Sequence, residues 1–544
     1  MSRFCYPALF LFTGAIIFYS QVIFSWWHPN SPQAMFLSLF SAAVLILGII
    51  IVLDLFYRGL TNAYRELLEL GFSPRVALLS ITLVMIYLAF AFFSALKPAH
   101  RFTEGDFLEY HLYLPKQHWL RGNWSPLDWS TIEFVTLTID YALSFFWISL
   151  PLLNRAPQFL IECFLLLKIL YVFKFFKIDR PFATGFLAVL GFISFRVVTI
   201  QTGTAMLDLV NLYFGFSVFF FLAFLGNRKA ADGWISSTLL FLFGVDIAAY
   251  LGHKSFGAMF LGATFLSLEL LLRKFYKRSL IPNLKVRSWI LISIPALVMW
   301  VPCLIRSYHF TGDPFYPVLS RFLPPHCSPE ALSVRTCQDN LSAAIFNYDL
   351  TQGYGYGRTF LGFFKSFIKA PLPSPIFSRQ GFFFGSNKFD YPLGVFWFFA
   401  WGLFFWSWIK EKIDRKILGT FGGMALVLYL LWFGLSQQGR WLYPVILILS
   451  LFWGFALSQN AKWLKVAILT CWICVIVNAS KILLSQQSNL GCFGAACLTF
   501  QPELYNNYKA PCLGKELVIH QGSHLGYFNC PVSTPRSDFP WVKN

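Results

Sequence analysis

The chain is short of charge. Only 12% of its 544 residues are Asp, Glu, Lys or Arg, about half the roughly 25% that keeps an ordinary soluble domain wet. Acid is scarcer still, with 25 Asp and Glu against 43 Lys and Arg, a formal net charge of +18. So few charges cannot coat the several soluble domains that this length would otherwise suggest. Familiar catalytic signatures are missing too: there is no P-loop, no GxGxxG after a strand, no HExxH, no GxSxG and no zinc-type pair of CxxC motifs. Those absences argue against a pump with its own ATPase, a zinc protease and a serine hydrolase. No fixed repeat or low-complexity tract occurs, and apolar runs recur along most of the chain, which excludes collagen-like, coiled-coil and disordered readings.

Apolar residues fill the gap. The hydrophobic set makes up 57% of the chain, with 64 Phe, so the expected fold is an all-α polytopic membrane protein. A span takes about 20 mostly apolar residues. Such runs lie near 7–25, 33–56, 76–96, 157–176, 181–200, 206–226, 234–251, 255–272, 288–306, 392–408, 417–433, 441–458 and 466–484, about 13 transmembrane helices. The first run is too long for a signal h-region and no A-x-A-like site follows it, so it reads as a retained span. The basic excess does not point to nucleic acid, because Lys and Arg sit in short clusters between apolar runs, as they do in cytoplasmic loops.

Those clusters set the orientation. Arg58, Arg65 and Arg75; Arg228 and Lys229; Arg273 to Arg287; Lys410 to Lys416; and Lys462 and Lys465 fall on one side only if 97–156 contains no complete crossing. The segment 134–153, with Thr136, Thr138 and Asp140, is then re-entrant or interfacial; the competing reading makes it a span and breaks the basic-inside pattern. The N-terminus lies inside and the C-terminus outside. The expected organisation is two N-terminal helices and a cytoplasmic loop (1–75), a transmembrane core (76–306) bearing the first outer loop 97–156, a large outer loop (307–391), C-terminal spans (392–484) and an outer segment (485–544). Six of the 11 cysteines, Cys327, Cys337, Cys492, Cys497, Cys512 and Cys530, then lie outside, where disulfides form; Cys327 with Cys337 is the expected pair, and unpaired thiols are the alternative.

Candidate chemistry gathers at the outer ends of spans. In the first outer loop, Asp106, Glu109 and Tyr110 share a helical face at i, i+3, i+4. An acid there can serve as general base toward a hydroxyl or bind a divalent cation; an amphipathic loop helix with solvated acids is the alternative. Asp208 opens a span, either facing a cavity or simply favoured by the helix dipole. Lys254, Arg306 and Arg440 end or begin spans on that side. Each alone can snorkel, but together they suggest an anion site, with Arg suited to a phosphate. Asp246, seven residues before His253, is an intramembrane acid and so a functional candidate.

At these residues the sequence resembles a known family, the polytopic GT-C glycosyltransferases, in the bacterial branch related to protein O-mannosyltransferases and lipid A aminoarabinose transferases. GDFLEYHLYLP resembles the first-loop motif, an Asp followed by Tyr-His and Pro. TAMLDLVNLYF resembles the segment carrying a second acid, and LGHKSFGAMF a Gly-Lys span start. IRSYHFTGDPFYPVL and SQQGRWLYPVILILS resemble the Arg-Tyr-Thr-Gly-Asn-Pro-x-Tyr-Pro and late Ser-Gln-x-x-Arg-Tyr-Leu-x-Pro stretches. The motifs occur in family order from about 100 to 455. Asp313 stands where Asn is frequent, Trp441 where Tyr is common, and Glu109 three residues after Asp106 rather than beside it. The runs 7–25 and 33–56 precede the family's usual first helix.

The resemblance implies a GT-C-like bundle with loop helices on its outer face. It also implies an inverting transferase of the bacterial inner membrane that moves a hexosyl or pentosyl group from a polyprenyl-phosphate donor to a glycan, lipid or protein. Asp106, Asp208 and Glu109 would be catalytic; Tyr110, His111, Lys254, Arg306 and Arg440 would bind substrate. No nucleotide-sugar site is required and no cofactor is certain; a divalent cation is possible, with Asp106 and Asp208 the candidates to hold it. The alternatives are a transporter or flippase of lipid-linked glycans, which would want internal repeats and broken helices at mid-membrane, and a polymerase or ligase of such glycans.

Overall fold

The computed structural model describes residues 2–24, 32–97, 111–125, 138–150, 153–175, 178–227, 237–253, 286–314, 354–372, 389, 392–410, 413–434, 437–459, 461–485, 517–518 and 532–533, with isolated residues between 262 and 274. The architecture is helical. Three helices open it: α1 (Tyr6–Phe24), α2 (Pro32–Glu69) and α3 (Pro74–Ala95). Two short helices, α4 (Tyr113–Arg121) and α5 (Thr138–Ser149), precede α6 (Ala156–Phe175) and α7 (Pro181–Ile193). Then come α8 (Arg196–Gln201), α9 (Asp208–Asn227), α10 (Ser237–His253), α11 (Val286–Met299) and α12 (Val301–Thr311). The rest are α13 (Phe360–Lys369), α14 (Phe396–Ile409), α15 (Arg415–Gly434), α16 (Tyr443–Ser458) and α17 (Ala461–Ser485). The exception to helix is a pair of two-residue parallel strands, Leu517–Val518 with Val532–Ser533.

Among the described residues six helices are long and apolar enough to cross a membrane, and a seventh span is the bent pair α11 and α12. That pair meets at 45°; Pro302 at the start of α12 lacks the N–H that would continue the ladder. Five shorter apolar helices, in α7, α9, α10, α14 and α17, complete the set. The expected run 181–200 is broken at Ser194 and Phe195, where α7 stops before α8 starts. The expected loop after 56 is instead a continuation of α2, which stays helical for 38 residues. At 12 residues, α5 is about 18 Å long, too short to cross, and it is buried against α1, α2 and α10.

Close approach explains the packing. A Cβ at Gly14 would overlap the Ala142 carbonyl of α5, one at Gly185 the Leu170 carbonyl of α6, and one at Gly244 the Ile292 carbonyl of α11. Small residues at such crossings let membrane helices gain dispersion contacts where no hydrophobic driving force separates helix from lipid. The outward faces of α2, α3, α11, α14, α15 and α17 carry a belt of exposed Leu, Ile, Val, Phe and Trp, the surface that lipid covers.

The helix ends sort into two faces. On one, Glu66 of α2 accepts the first N–H groups of α7, from Phe182 at 2.7 Å and Ala183 at 2.8 Å, a carboxylate at a helix N-terminus. The starts of α3, α7 and α15 with Arg75, Arg180, Arg415 and Lys416 lie at this end of their helices. At the opposite face lie the end of α3, the starts of α6, α9 and α16, and the ends of α10, α12 and α15.

Candidate functional site at one face of the bundle

Four predicted site residues are described. Asp208 and Arg440, far apart in sequence, come together: Arg440 Nη1 is 3.8 Å from Asp208 Oδ2, with the side chains only 12% and 10% exposed. Asp208 is the first residue of α9, so the helix dipole favours its charge, and Gln201 Nε2 donates to it at 3.4 Å. Arg440 sits in a single 3-10 turn ahead of α16, its Nε donating to Gln438 Oε1 at 3.1 Å.

The segment before Asp208 is held by a residue that sequence reasoning passed over. Glu162 of α6 is buried, and its Oε2 accepts the Gly203 N–H at 2.8 Å. Gly203 has φ +76°, and a Cβ would collide with the Ala91 carbonyl, so glycine is required. Tyr87 donates to Thr202 at 2.6 Å. The available signal was an acid inside an otherwise apolar run, which is a functional candidate in its own right.

Below Asp208 and Arg440 runs an apolar groove between α9, α10, α15 and α16. Leu212, Phe216, Tyr250, Leu428, Pro444 and Leu447 are among its walls, and its cavity volume is about 50 Å³. Leu212 and Pro444 lie one turn from Asp208 and Arg440 respectively. The walls of the cavity are apolar, and the ion pair lies one turn beyond them on the chains that carry Leu212 and Pro444.

The other two described residues occupy a second cluster. His111 Nδ1 lies 2.6 Å from Asp140 Oδ1, both residues buried. Arg306, on α12, donates from Nε to the Trp124 carbonyl at 2.9 Å and from Nη2 to His118 Nε2 at 3.4 Å. Its guanidinium carbon is 5.5 Å from the Trp124 ring centroid and 5.8 Å from that of Phe310. Burial, reinforced by Arg306, holds His118 well below the usual imidazole range, which suits the acceptor role at Nε2. Gln21 of α1 donates to the Trp119 carbonyl at 3.0 Å, and Phe18 and Tyr19 pack on Trp124. His118, Trp124 and the pairing of His111 with Asp140 were not anticipated.

Two glycine- and glutamine-rich motifs also meet. Gln437 accepts the Tyr356 N–H at 3.2 Å and the Ser366 hydroxyl at 2.6 Å, and its Nε2 donates to the Gly357 carbonyl at 3.1 Å. The segment Tyr354–Gly357 is therefore fixed by the chain that carries Arg440. Asp246 is buried deeper, near Lys168, whose ammonium contacts Ser217 and lies 3.8 Å from the Tyr213 ring centroid; it faces the bundle interior, and the His253 side chain is not described.

Asp106, Glu109, Tyr110 and Lys254 lie outside the described residues, as do Cys327 and Cys337. The five cysteines in or beside spans, Cys5, Cys163, Cys303, Cys471 and Cys474, are free thiols. Among the described residues no three His, Cys, Asp or Glu side chains gather as metal ligands. Asp208 lies against a guanidinium, which opposes a divalent ion at that carboxylate.

Fold and site together define a multi-pass helical membrane protein with an amphiphile-shaped site, charged at one face and apolar beneath. Among solved structures the chain is similar to ArnT from Cupriavidus metallidurans bound to undecaprenyl phosphate, at 11% identity and a TM-score of 0.48, over 83% of this chain and 85% of that one. No family model and no curated protein matches it.

Proposed function

We propose that the protein is an integral-membrane glycosyltransferase that moves a sugar from a polyprenyl-phosphate donor to an acceptor on the outer face of the membrane. The observation that carries this reading is an apolar groove whose walls Leu212 and Pro444 lie one turn from the paired Asp208 and Arg440. A prenyl tail suits the hydrocarbon slot, a phosphate suits Arg440, and a soluble nucleotide sugar would have no use for the slot. The basic residues at the opposite face favour placing the site outside.

In this reading Asp106 takes the proton of the acceptor hydroxyl as it attacks the anomeric carbon from the side opposite the phosphate, which inverts that centre. Arg440, with Lys254 and Arg306, binds the phosphate and stabilises the charge it gains on leaving. Asp208 orients Arg440, and Glu109, Tyr110 and His111 contact the sugar or acceptor. The aromatic outer segments exclude water and limit donor hydrolysis. No step requires a metal.

The test is transfer of label from a radiolabelled polyprenyl-phosphate sugar to an extract of the source envelope, with purified wild type, Asp106→Asn and Asp208→Asn. Wild type should label an extractable acceptor and a folded Asp106→Asn should not. If label merely changes leaflet in reconstituted vesicles, or the variants match wild type, the transferase reading fails and a lipid-glycan transporter replaces it.

A further inference from the structure

The helix α13 (Phe360–Lys369) is unlike the spans. It has 10 residues, about 15 Å, and two chemically distinct faces. The inward face is Gly362, Phe363, Ser366 and Phe367. Phe363 meets the Tyr429 and Phe433 rings at 5.1 and 5.4 Å, and Phe367 meets Trp397 and Trp401 at 5.5 and 5.7 Å. Those partners bound its depth. Phe433 and Tyr429 lie one and five residues inside the end of α15, and Trp397 and Trp401 one and five inside the start of α14, so α13 rests on the flanks of two spans within about 2–8 Å of their ends.

The outward face is apolar and exposed at that depth. Phe360 is 83% exposed and Leu361 62%, with Phe364 and Ile368 following along the same stripe. The spans it rests on bare apolar residues near the same ends, Val395 and Phe399 at the α14 start and Leu430 of α15, part of the belt that lipid covers. Lys365 and Lys369, at i and i+4, are exposed beside the stripe. A short helix with this division, at this depth and with basic residues along its margin, belongs in the plane of the headgroups.

We propose that α13 lies in the headgroup layer of the bilayer, with Phe360, Leu361, Phe364 and Ile368 in the acyl boundary and Lys365 and Lys369 binding the phosphates of anionic phospholipids. The occupant of this face is the lipid surface itself. The inference is independent of the transfer reaction. It has a consequence for the site, because Ser366 on the inward face donates to Gln437, three residues from Arg440, so lipid contact bears on the wall beside the ion pair.

The full chain is reconstituted into nanodiscs of equal parts phosphatidylcholine and phosphatidylglycerol, with p-benzoylphenylalanine replacing Phe364 or, as the inward control, Phe363. After irradiation, adducts are read by mass spectrometry. Phe364 should capture lipid, with phosphatidylglycerol enriched on the order of fivefold, the weight of one basic residue near an anionic surface; Phe363 should capture peptides of α15. In Lys365→Glu with Lys369→Glu the enrichment should vanish while the Phe363 adduct is unchanged, which shows that the helix is still seated. Adducts from Phe364 to the chain's own outer segments, or to a second copy, overturn the proposal. So does lipid capture with no phosphatidylglycerol preference, or a preference that survives the double charge reversal.

Discussion

Asp208 competes with any phosphate for Arg440, so removing its charge should strengthen donor binding while weakening turnover. At 3.8 Å two unit charges in a partly buried site interact by about 4 kcal/mol at an effective dielectric of 20, an upper bound before solvent screening. Even a third of that, about 1.4 kcal/mol, is tenfold in affinity. Asp208→Asn keeps the shape and the contact with Gln201 but leaves the guanidinium to the ligand. Undecaprenyl phosphate should then bind about tenfold tighter, Arg440→Ala should bind it about tenfold weaker or worse, and the double variant should resemble Arg440→Ala. Binding is measured on purified protein by scintillation proximity with labelled undecaprenyl phosphate, at low and high salt. The reasoning is refuted if Asp208→Asn weakens binding as much as Arg440→Ala does, because the carboxylate would then be holding the site together rather than competing for its cation.

Three further outcomes follow from the geometry. Leu447→Trp should narrow the apolar groove and weaken undecaprenyl phosphate at least tenfold while leaving a short-chain prenyl phosphate nearly unaffected, a contrast read in the same assay. Gly355, at φ +81°, has no room for a Cβ against the Gln437 amide; Gly355→Ala should cost about 2–5 kcal/mol, from the left-handed backbone and the displaced hydrogen bonds, seen as a lower melting temperature and faster proteolysis between 354 and 372. His118 has its folded-state pKa depressed by burial, so the unfolded chain takes up the proton first. The stability that this group contributes is complete above about pH 6.5 and is lost as pH falls toward the folded-state value. Thermal unfolding at pH 7.5 and 5.5 should show that loss, and His118→Gln should reduce it.

Much of the bundle was legible because a bilayer demands runs of a certain length, and α1, α3, α6, α9 and α16 begin and end within a few residues of the apolar runs. The long α2 was not, because Arg58, Arg65 and Glu66 read as loop although helix is compatible with all of them once they leave the hydrocarbon. Pro302 and the break at Ser194 bend or divide runs that hydropathy alone treats as continuous. At the site, Asp208 and Arg440 were each visible as charges at span ends, but their meeting was not, since pairing across the bundle leaves no periodicity. His118 looked like one more residue of an amphipathic loop; only the fold places it against Arg306. Glu162 was hidden for a related reason: it acts on a backbone N–H, which every residue but proline possesses and no motif marks. Gln437 stood inside a motif, but its contacts with Tyr356, Gly357 and Ser366 cross some 70–80 residues of chain and leave no local signal.

The placement of α1 also has a consequence in time. Its Tyr19 hydroxyl donates to the Met299 carbonyl 280 residues onward, and the Phe4 carbonyl beside it accepts from Tyr213, 209 residues onward. At roughly 5–20 residues per second of synthesis, α1 waits on the order of tens of seconds for the last of these neighbours. During that interval it stands in lipid with little of its final company. An apolar surface suits such a wait, and the sequence YPALFLFTGAIIFYSQVIF is apolar along most of its length, so α1 is stable in lipid before its later neighbours close around it.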